Sequence, residues 1–328
     1  MQSSSELFPV ALISAELRGD LSEDVYRLKP NNSPDPSVEL ALTRLGRATE
    51  EAGRGVPVVL LHGSFSNRRF WYSPRGIGLG AYLARAGFDV WIAEMRGHGL
   101  SPRNQNYRDN SVAQYVRYDL PAIAEFVYEQ TGQTAHWLGH SLGGVILAAA
   151  LGGRYLDDRR VRSAALFGSQ ISRQYWPLKI PLVEWGARLA LRAFPYLSGR
   201  RLKRGPEDEP IGIARETMRW LGLFGRFGDR EHDWWAGLAE VRLPVLAVSA
   251  AGDQQDPAWA CRKLLQQFSE ASTAFLLLGK DSGFSSDFGH IEMLVSKEAQ
   301  SEVWPQVEYW LRHLQLPQAL EVPEKAMA

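Results

Sequence analysis

Trp137-Leu138-Gly139-His140-Ser141-Leu142-Gly143-Gly144 is the stretch on which the reading of this chain turns. By itself a Gly-x-Ser-x-Gly pentapeptide is short enough to recur by chance. Its surroundings give it weight. Residues 135–138 form an apolar run of strand length, and 142–151 continue as an alanine- and leucine-rich helical run. Strand, sharp turn and helix are the context in which this motif presents a serine hydroxyl. The flanking glycines keep side chains from colliding with the neighbouring strand and helix, while the serine takes a strained backbone conformation. Its hydroxyl then sits at a helix N-terminus, where the dipole favours developing negative charge.

Outward from the motif, the same rhythm repeats. Apolar runs at 56–61, 88–93, 164–167, 245–248 and 274–278 are short and nearly continuous, as suits strands buried on both faces of a parallel sheet. Helical stretches at 79–86 and 112–130 lie between them, and β-α alternation of this kind predicts a doubly wound, mostly parallel α/β sheet. The first fifty residues supply two strand-like pieces, 25–28 and 38–45, separated by the turn-rich 30–36. The rhythm breaks over 171–240, where tryptophan- and arginine-rich helices are interrupted by Lys203-Arg204-Gly205-Pro206-Glu207-Asp208-Glu209-Pro210. This predicts N-terminal strands over 1–50, a core in two parts over 51–170 and 241–316, an inserted helical cap over 171–240, and a polar tail over 317–328.

Composition narrows the function classes. Lysine plus arginine equals aspartate plus glutamate at 37 each, so net charge is zero and nothing marks a nucleic-acid partner. Cys261 is the single cysteine, and its place in Ala258-Trp259-Ala260-Cys261-Arg262-Lys263-Leu264 reads as a packed helical thiol. With no disulfide available, no basic N-terminal start and an apolar stretch at 7–12 too short to span a bilayer, a soluble cytoplasmic protein is expected.

A serine hydroxyl attacks a carbonyl only when a base takes its proton. In the strand-turn-helix setting the partners follow in the order nucleophile, acid, histidine. Residues 245–253 run as a strand into an acidic turn ending at Asp253, and Asp287-Phe288-Gly289-His290 supplies a late, glycine-flanked histidine. His290 is thus the candidate base and Asp253 the candidate acid that fixes its tautomer. Asp256, one loop step further, is the alternative acid. Of the other histidines, His62 and His140 fit structural hydrogen bonds inside loop motifs. The oxyanion needs two backbone N–H groups. Leu142, after the nucleophile, offers one. His62-Gly63-Ser64-Phe65, after an early apolar run, offers the other from Ser64 or, as second choice, Phe65.

Together with Arg96-Gly97-His98-Gly99-Leu100-Ser101, these residues resemble the α/β-hydrolase superfamily, in particular its esterase and lipase branches, over roughly 56–314. Glu94 departs from the pattern, since relatives usually carry aspartate before the Arg-Gly-His-Gly turn, and the crowded Gly252-Asp253-Gln254-Gln255-Asp256-Pro257 leaves the acid open. The resemblance implies a carboxylic ester hydrolase with an acyl-enzyme intermediate, needing no cofactor and no metal. Peptidase, thioesterase and acyltransferase chemistry on the same triad is the rival reading. A serine at 141 argues against dehalogenases and epoxide hydrolases, which use a carboxylate nucleophile. The aromatic residues of 171–240 (Tyr175, Trp176, Trp185, Phe194, Tyr196, Trp220, Phe224, Phe227, Trp234 and Trp235) suit an apolar acyl or aromatic group, and equally suit packing against the domain beneath. A small ester is the expected partner, and the cap admits transient contact with a membrane surface.

Overall fold

The computed structural model describes residues 5, 7–49, 54–172 and 176–317. The start at 1–4 and 6, cap residues 173–175 and the tail at 318–328 lie outside the described residues, and with them the readings made of those stretches. Strands run in the order β1 (Val10–Arg18), β2 (Leu21–Leu28), β3 (Leu40–Arg47), β4 (Pro57–Leu61), β5 (Asp89–Glu94), β6 (Ala135–His140) and β7 (Val161–Phe167). After two short strands, β8 (Tyr196–Leu197) and β9 (Glu209–Pro210), come β10 (Val245–Ala250) and β11 (Thr273–Leu278). Among the described residues, nine of these form one sheet in the order β1-β2-β3-β5-β4-β6-β7-β10-β11. The pairs from β5 to β11 are parallel, and β1-β2, β2-β3 and β3-β5 are antiparallel.

Every residue of β4, β5, β6 and β10 is buried, which is why these strands are mostly apolar, and their few polar side chains, such as Asp89 and His136, are held by partners: Asp89 accepts from Arg44, and His136 bonds Ser163. The pleat divides them between two cores. Val59 and Leu61 face one side with Trp91, Trp137 and Phe126, while Val58 and Leu60 face the other with Trp71, Leu83 and Trp310. Helices cover both sides: α1 (Leu79–Arg85), α2 (Val112–Gln114), α3 (Leu120–Thr131), α4 (Leu142–Gly152), then α5 (Pro181–Leu191), α6 (Ile211–Leu221) and α7 (Trp234–Gly237) between β7 and β10. The chain ends in α8 (Ala258–Leu265), α9 (Glu292–Val295), α10 (Lys297–Glu302) and α11 (Trp304–His313). No helix among the described residues is long and apolar enough to cross a membrane.

Two local expectations are corrected. The first fifty residues hold three strands, not two. β1 lies at the sheet's outer edge: it opens apolar at Val10–Ile13, alternates polar and apolar from Ser14 on, and leaves Leu12, Ile13 and Leu17 exposed, so its pattern differs from that of the strands buried on both faces. The helix expected over 112–130 forms, but with one local break in its α-helical bonding: α2 passes into a π-helical turn over Tyr115–Asp119 before α3 begins. The break coincides with Pro121, which has no N–H for a continuous helix, and with Asp119, drawn inward to Arg96.

That inward pair is a stability determinant. Arg96 Nε donates to Asp119 Oδ2 at 2.9 Å, and both side chains are essentially solvent-free. Removing one partner strands a buried charge, so Arg96→Met is expected to lower unfolding free energy by about 3–5 kcal/mol in urea titration. Glu240→Gln, which breaks the exposed pair with Arg154, is expected to cost no more than about 1 kcal/mol. Equal losses from the two substitutions would contradict this account of the core.

Candidate active site

The edge of the sheet at the C-terminal ends of its parallel strands gathers the candidate residues. β6 delivers His140, and the chain turns at Ser141 with φ 52° and ψ −120° before α4 starts at Leu142. A non-glycine residue in this region is strained, and it persists only when its surroundings hold it. They do so here. Ser141 N–H donates to Phe167 O at 2.8 Å, and Ser169 Oγ donates to Ser141 O at 3.0 Å. Close approach explains two glycines of the motif. A Cβ on Gly139 would lie 2.5 Å from Gly144 N, and one on Gly143 would lie 2.5 Å from Leu61 O.

Asp253 follows β10, and His290 follows the loop after β11. Their pair is short, with His290 Nδ1 2.7 Å from Asp253 Oδ2. The other oxygen, Oδ1, accepts from Gln255 N–H and Asp256 N–H, each at 2.9 Å, so the carboxylate's aim is fixed by backbone. Asp256 Oδ2 is 3.6 Å from the same imidazole nitrogen, and its Oδ1 accepts from Gln170 Nε2 at 2.8 Å. Burial pushes the Asp256 carboxyl upward, against the pull of Gln170 and His290. Geometry therefore ranks Asp253 ahead of Asp256. With its Nδ1 proton directed to Asp253, His290 presents a lone pair at Nε2, and there the Gln255 amide nitrogen donates at 3.3 Å. Arg204 Nη1 holds the Gln255 carbonyl at 2.9 Å, which fixes the amide's orientation.

The flanking histidines take structural roles. Burial drives both His62 and His140 down to about 3, leaving them neutral. His140 Nε2 donates to His290 O at 2.9 Å and its ring stacks on Phe70, while His62 Nε2 accepts from Met95 N–H at 3.1 Å. Cys261 is buried in α8, and burial pushes its thiol up to about 12, which suits packing rather than nucleophilic chemistry.

Of the oxyanion candidates, Leu142 N–H lies in the first turn of α4, where no helical acceptor precedes it. Gly63 brings the second loop against Ser141, since a Cβ there would lie 3.1 Å from Ser141 Cβ. Phe65 N–H is already committed: it donates to Glu209 Oε1 at 2.6 Å. Ser64 N–H makes no hydrogen bond among the described residues. Asp253, Asp256 and His290 are also the one grouping among the described residues compact enough to hold a cation, with ligand atoms within 4.8 Å of one another. The His290–Asp253 hydrogen bond already accounts for that proximity.

Sequence reasoning missed Gln255, Arg204 and Glu209. The stretch Lys203–Pro210 stood out only as a charged, turn-rich interruption, and nothing local told which of its charges turn inward. The aromatic residues between β7 and β10 divide between the two readings they allowed. Trp220, Phe227 and Trp234 pack edge-to-face in a buried cluster, whereas Trp176, Trp185, Phe194 and Phe224 are exposed. Tyr175 lies outside the described residues.

Residues 56–202 match the family model of the alpha/beta hydrolase fold. The chain has the α/β-hydrolase fold. It is 36% identical over 154 residues to triacylglycerol lipase 2 of Arabidopsis thaliana, covering 44% of this chain and 35% of that protein. Against human gastric triacylglycerol lipase the figures are 32% over 136 residues, 38% of this chain and 32% of that protein. The aligned stretch thus spans about a third of these lipases. Among solved α/β-hydrolase structures, the monoacylglycerol lipase of Paleococcus ferrophilus superposes with a TM-score of 0.58 at 18% identity, covering 83% of this chain and 98% of that one. An esterase from Thermogutta terrifontis gives 0.55 at 18%, covering 87% and 97%. At such identities these two structures attest the fold.

Proposed function

We propose that this α/β-hydrolase cleaves carboxylic esters bearing an apolar acyl or aromatic group, through an acyl-enzyme on Ser141. The observation that carries this reading is the meeting of a strained, backbone-held Ser141 with a 2.7 Å His290–Asp253 pair at the same strand ends. The lipases among its relatives support the choice of ester over other acyl substrates.

In this mechanism Ser141 Oγ attacks the ester carbonyl carbon as its proton passes to His290 Nε2, which the Gln255 amide must first yield. The carbonyl π electrons move to oxygen, and the N–H groups of Leu142 and Ser64 stabilise that charge. Asp253 holds the imidazolium. When the tetrahedral centre collapses, the C–O bond to the alcohol breaks and His290 returns the proton to the departing oxygen. Water then attacks the acyl-Ser141 ester, giving its proton to His290. The acid is released and the serine regains its hydrogen. Apart from the ester and water, no group outside the chain takes part in these steps. Nitrophenyl esters of increasing acyl length, compared in wild type and Ser141→Ala, test this reading and measure the acyl pocket together. Anilide hydrolysis outrunning ester hydrolysis, or transfer to an alcohol outrunning water, would move the assignment to a peptidase or an acyltransferase.

The outer face of the segment between β7 and β10 favours contact with a membrane surface. No residue of α5 is buried, Leu182 is 80% exposed and Phe224 90%. Residues 176–204 carry seven cations, Lys179, Arg188, Arg192, Arg200, Arg201, Lys203 and Arg204, against the single acid Glu184. An apolar face rimmed by cations suits an interface holding anionic lipid. Binding to anionic vesicles is expected to exceed binding to zwitterionic vesicles by about tenfold or more in flotation, since each cation near a charged surface contributes about 1 kcal/mol. Protein that stays in the soluble fraction with both would rule the contact out.

A further inference from the structure

The candidate oxyanion loop is fastened from outside the sheet domain. Phe65 takes φ 57°, a conformation that disfavours a residue with a side chain, so something must hold it. Both of its backbone groups are held by one short stretch of the excursion between β7 and β10. Glu207 N–H donates to Phe65 O at 3.1 Å, and Phe65 N–H donates to Glu209 Oε1 at 2.6 Å. Asn67 Nδ2 donates to Glu207 Oε1 at 2.5 Å, and the backbone presses so close that a Cβ on Gly205 would lie 2.1 Å from Phe65 O.

Glu209 is itself locked in place. It is 3% exposed, lies in β9 paired with β8, and its Oε1 is 3.3 Å from His98 Nε2 of the Arg96-Gly97-His98-Gly99 turn. Burial alone would push His98 down, but the Glu209 carboxylate outweighs it and raises the imidazole above its usual range. The buried carboxylate thus has the His98 imidazole on one side, and its other directed bond goes to the loop beside Ser141. The preceding residue is tethered too: Tyr107 Oη donates to Asp208 O at 2.7 Å, and Arg103 pairs with the Asp208 carboxylate at 2.6 Å.

We propose that Glu209 is a positioning residue for the oxyanion hole: by taking the Phe65 N–H, it holds the loop in the strained turn that leaves Ser64 N–H facing the oxygen of the reacting carbonyl. This rests on the ester-hydrolase reading above. It also gives the charged interruption at 203–210 a task and explains why the second donor is Ser64 rather than Phe65.

The test compares Glu209→Ala with Glu209→Gln, whose amide oxygen still accepts from Phe65 N–H. A missing oxyanion donor costs about 10²–10³ in kcat, so a displaced one in Glu209→Ala is expected to cost about 10–100-fold in kcat with KM nearly unchanged. A trifluoromethyl ketone, which binds as the tetrahedral oxyanion, should weaken in parallel. Glu209→Gln should recover most of both. A loss carried by KM alone, or equal losses in the two variants, would overturn the proposal. So would a rise in kcat in Glu209→Ala, because it would mark Phe65 N–H as a donor that Glu209 blocks. If wild type releases no nitrophenol, the ester reading fails separately. The amide proton resonance of Phe65 then carries the test: it should move upfield in Glu209→Ala and stay downfield in Glu209→Gln, and no movement in Glu209→Ala would overturn the clasp.

Discussion

Alanine at position 141 is expected to lower kcat for nitrophenyl ester hydrolysis by about 10⁵–10⁶-fold while the protein stays folded, in line with loss of a nucleophile that acts as one unit with its base. The folding part follows from the local structure. Ser141 holds its place through its backbone, by the N–H to Phe167 O and the carbonyl accepting from Ser169 Oγ, and alanine keeps both bonds. Only the hydroxyl is lost. The strained φ of 52° stays strained, so the melting temperature should change little. The rate that remains measures what the oxyanion donors and the pocket achieve without covalent catalysis. If the variant hydrolysed esters at a tenth of the wild-type rate or faster, the nucleophile would lie elsewhere.

Asp253→Asn is expected to cost about 10⁴-fold in kcat, because an amide nitrogen facing Nδ1 reverses the imidazole tautomer and leaves a hydrogen on Nε2 where the serine proton must go. Asp256→Asn should cost far less. Asp253 Oδ2 is 2.7 Å from His290 Nδ1 with its other oxygen fixed by two backbone N–H groups, while Asp256 Oδ2 stands at 3.6 Å. The two variants therefore separate the acid from its neighbour, by kcat measured across pH. If Asp256→Asn produced the larger loss, the 3.6 Å contact would be the working one, and the ranking by distance would be wrong.

What could be read from residues alone follows from how local each signal is. The strands at 56–61 and 245–248 were legible because burial on both faces demands continuous apolar side chains, and Ser141 was legible because its turn needs glycines within two positions. β1 escaped because an edge strand is mostly exposed, and its short apolar start at 10–13 passes from Ser14 into polar alternation. Asp256 stayed an alternative to Asp253 because only two residues of loop lie between them and only the folded turn shows which oxygen faces His290. Glu209 was beyond reach: it sits 144 residues from the N–H it binds, in a run of charges that by itself reads as a solvated surface. His98 was likewise unreadable, since its partner comes from 111 residues further along the chain.

The most direct measurement is to treat the protein with a fluorophosphonate and locate the adduct by peptide mass mapping. A single adduct on Ser141, formed in wild type, absent in Ser141→Ala and strongly slowed in His290→Ala, is the predicted result. An adduct on a different serine, or labelling that persists undiminished in Ser141→Ala, would contradict the account.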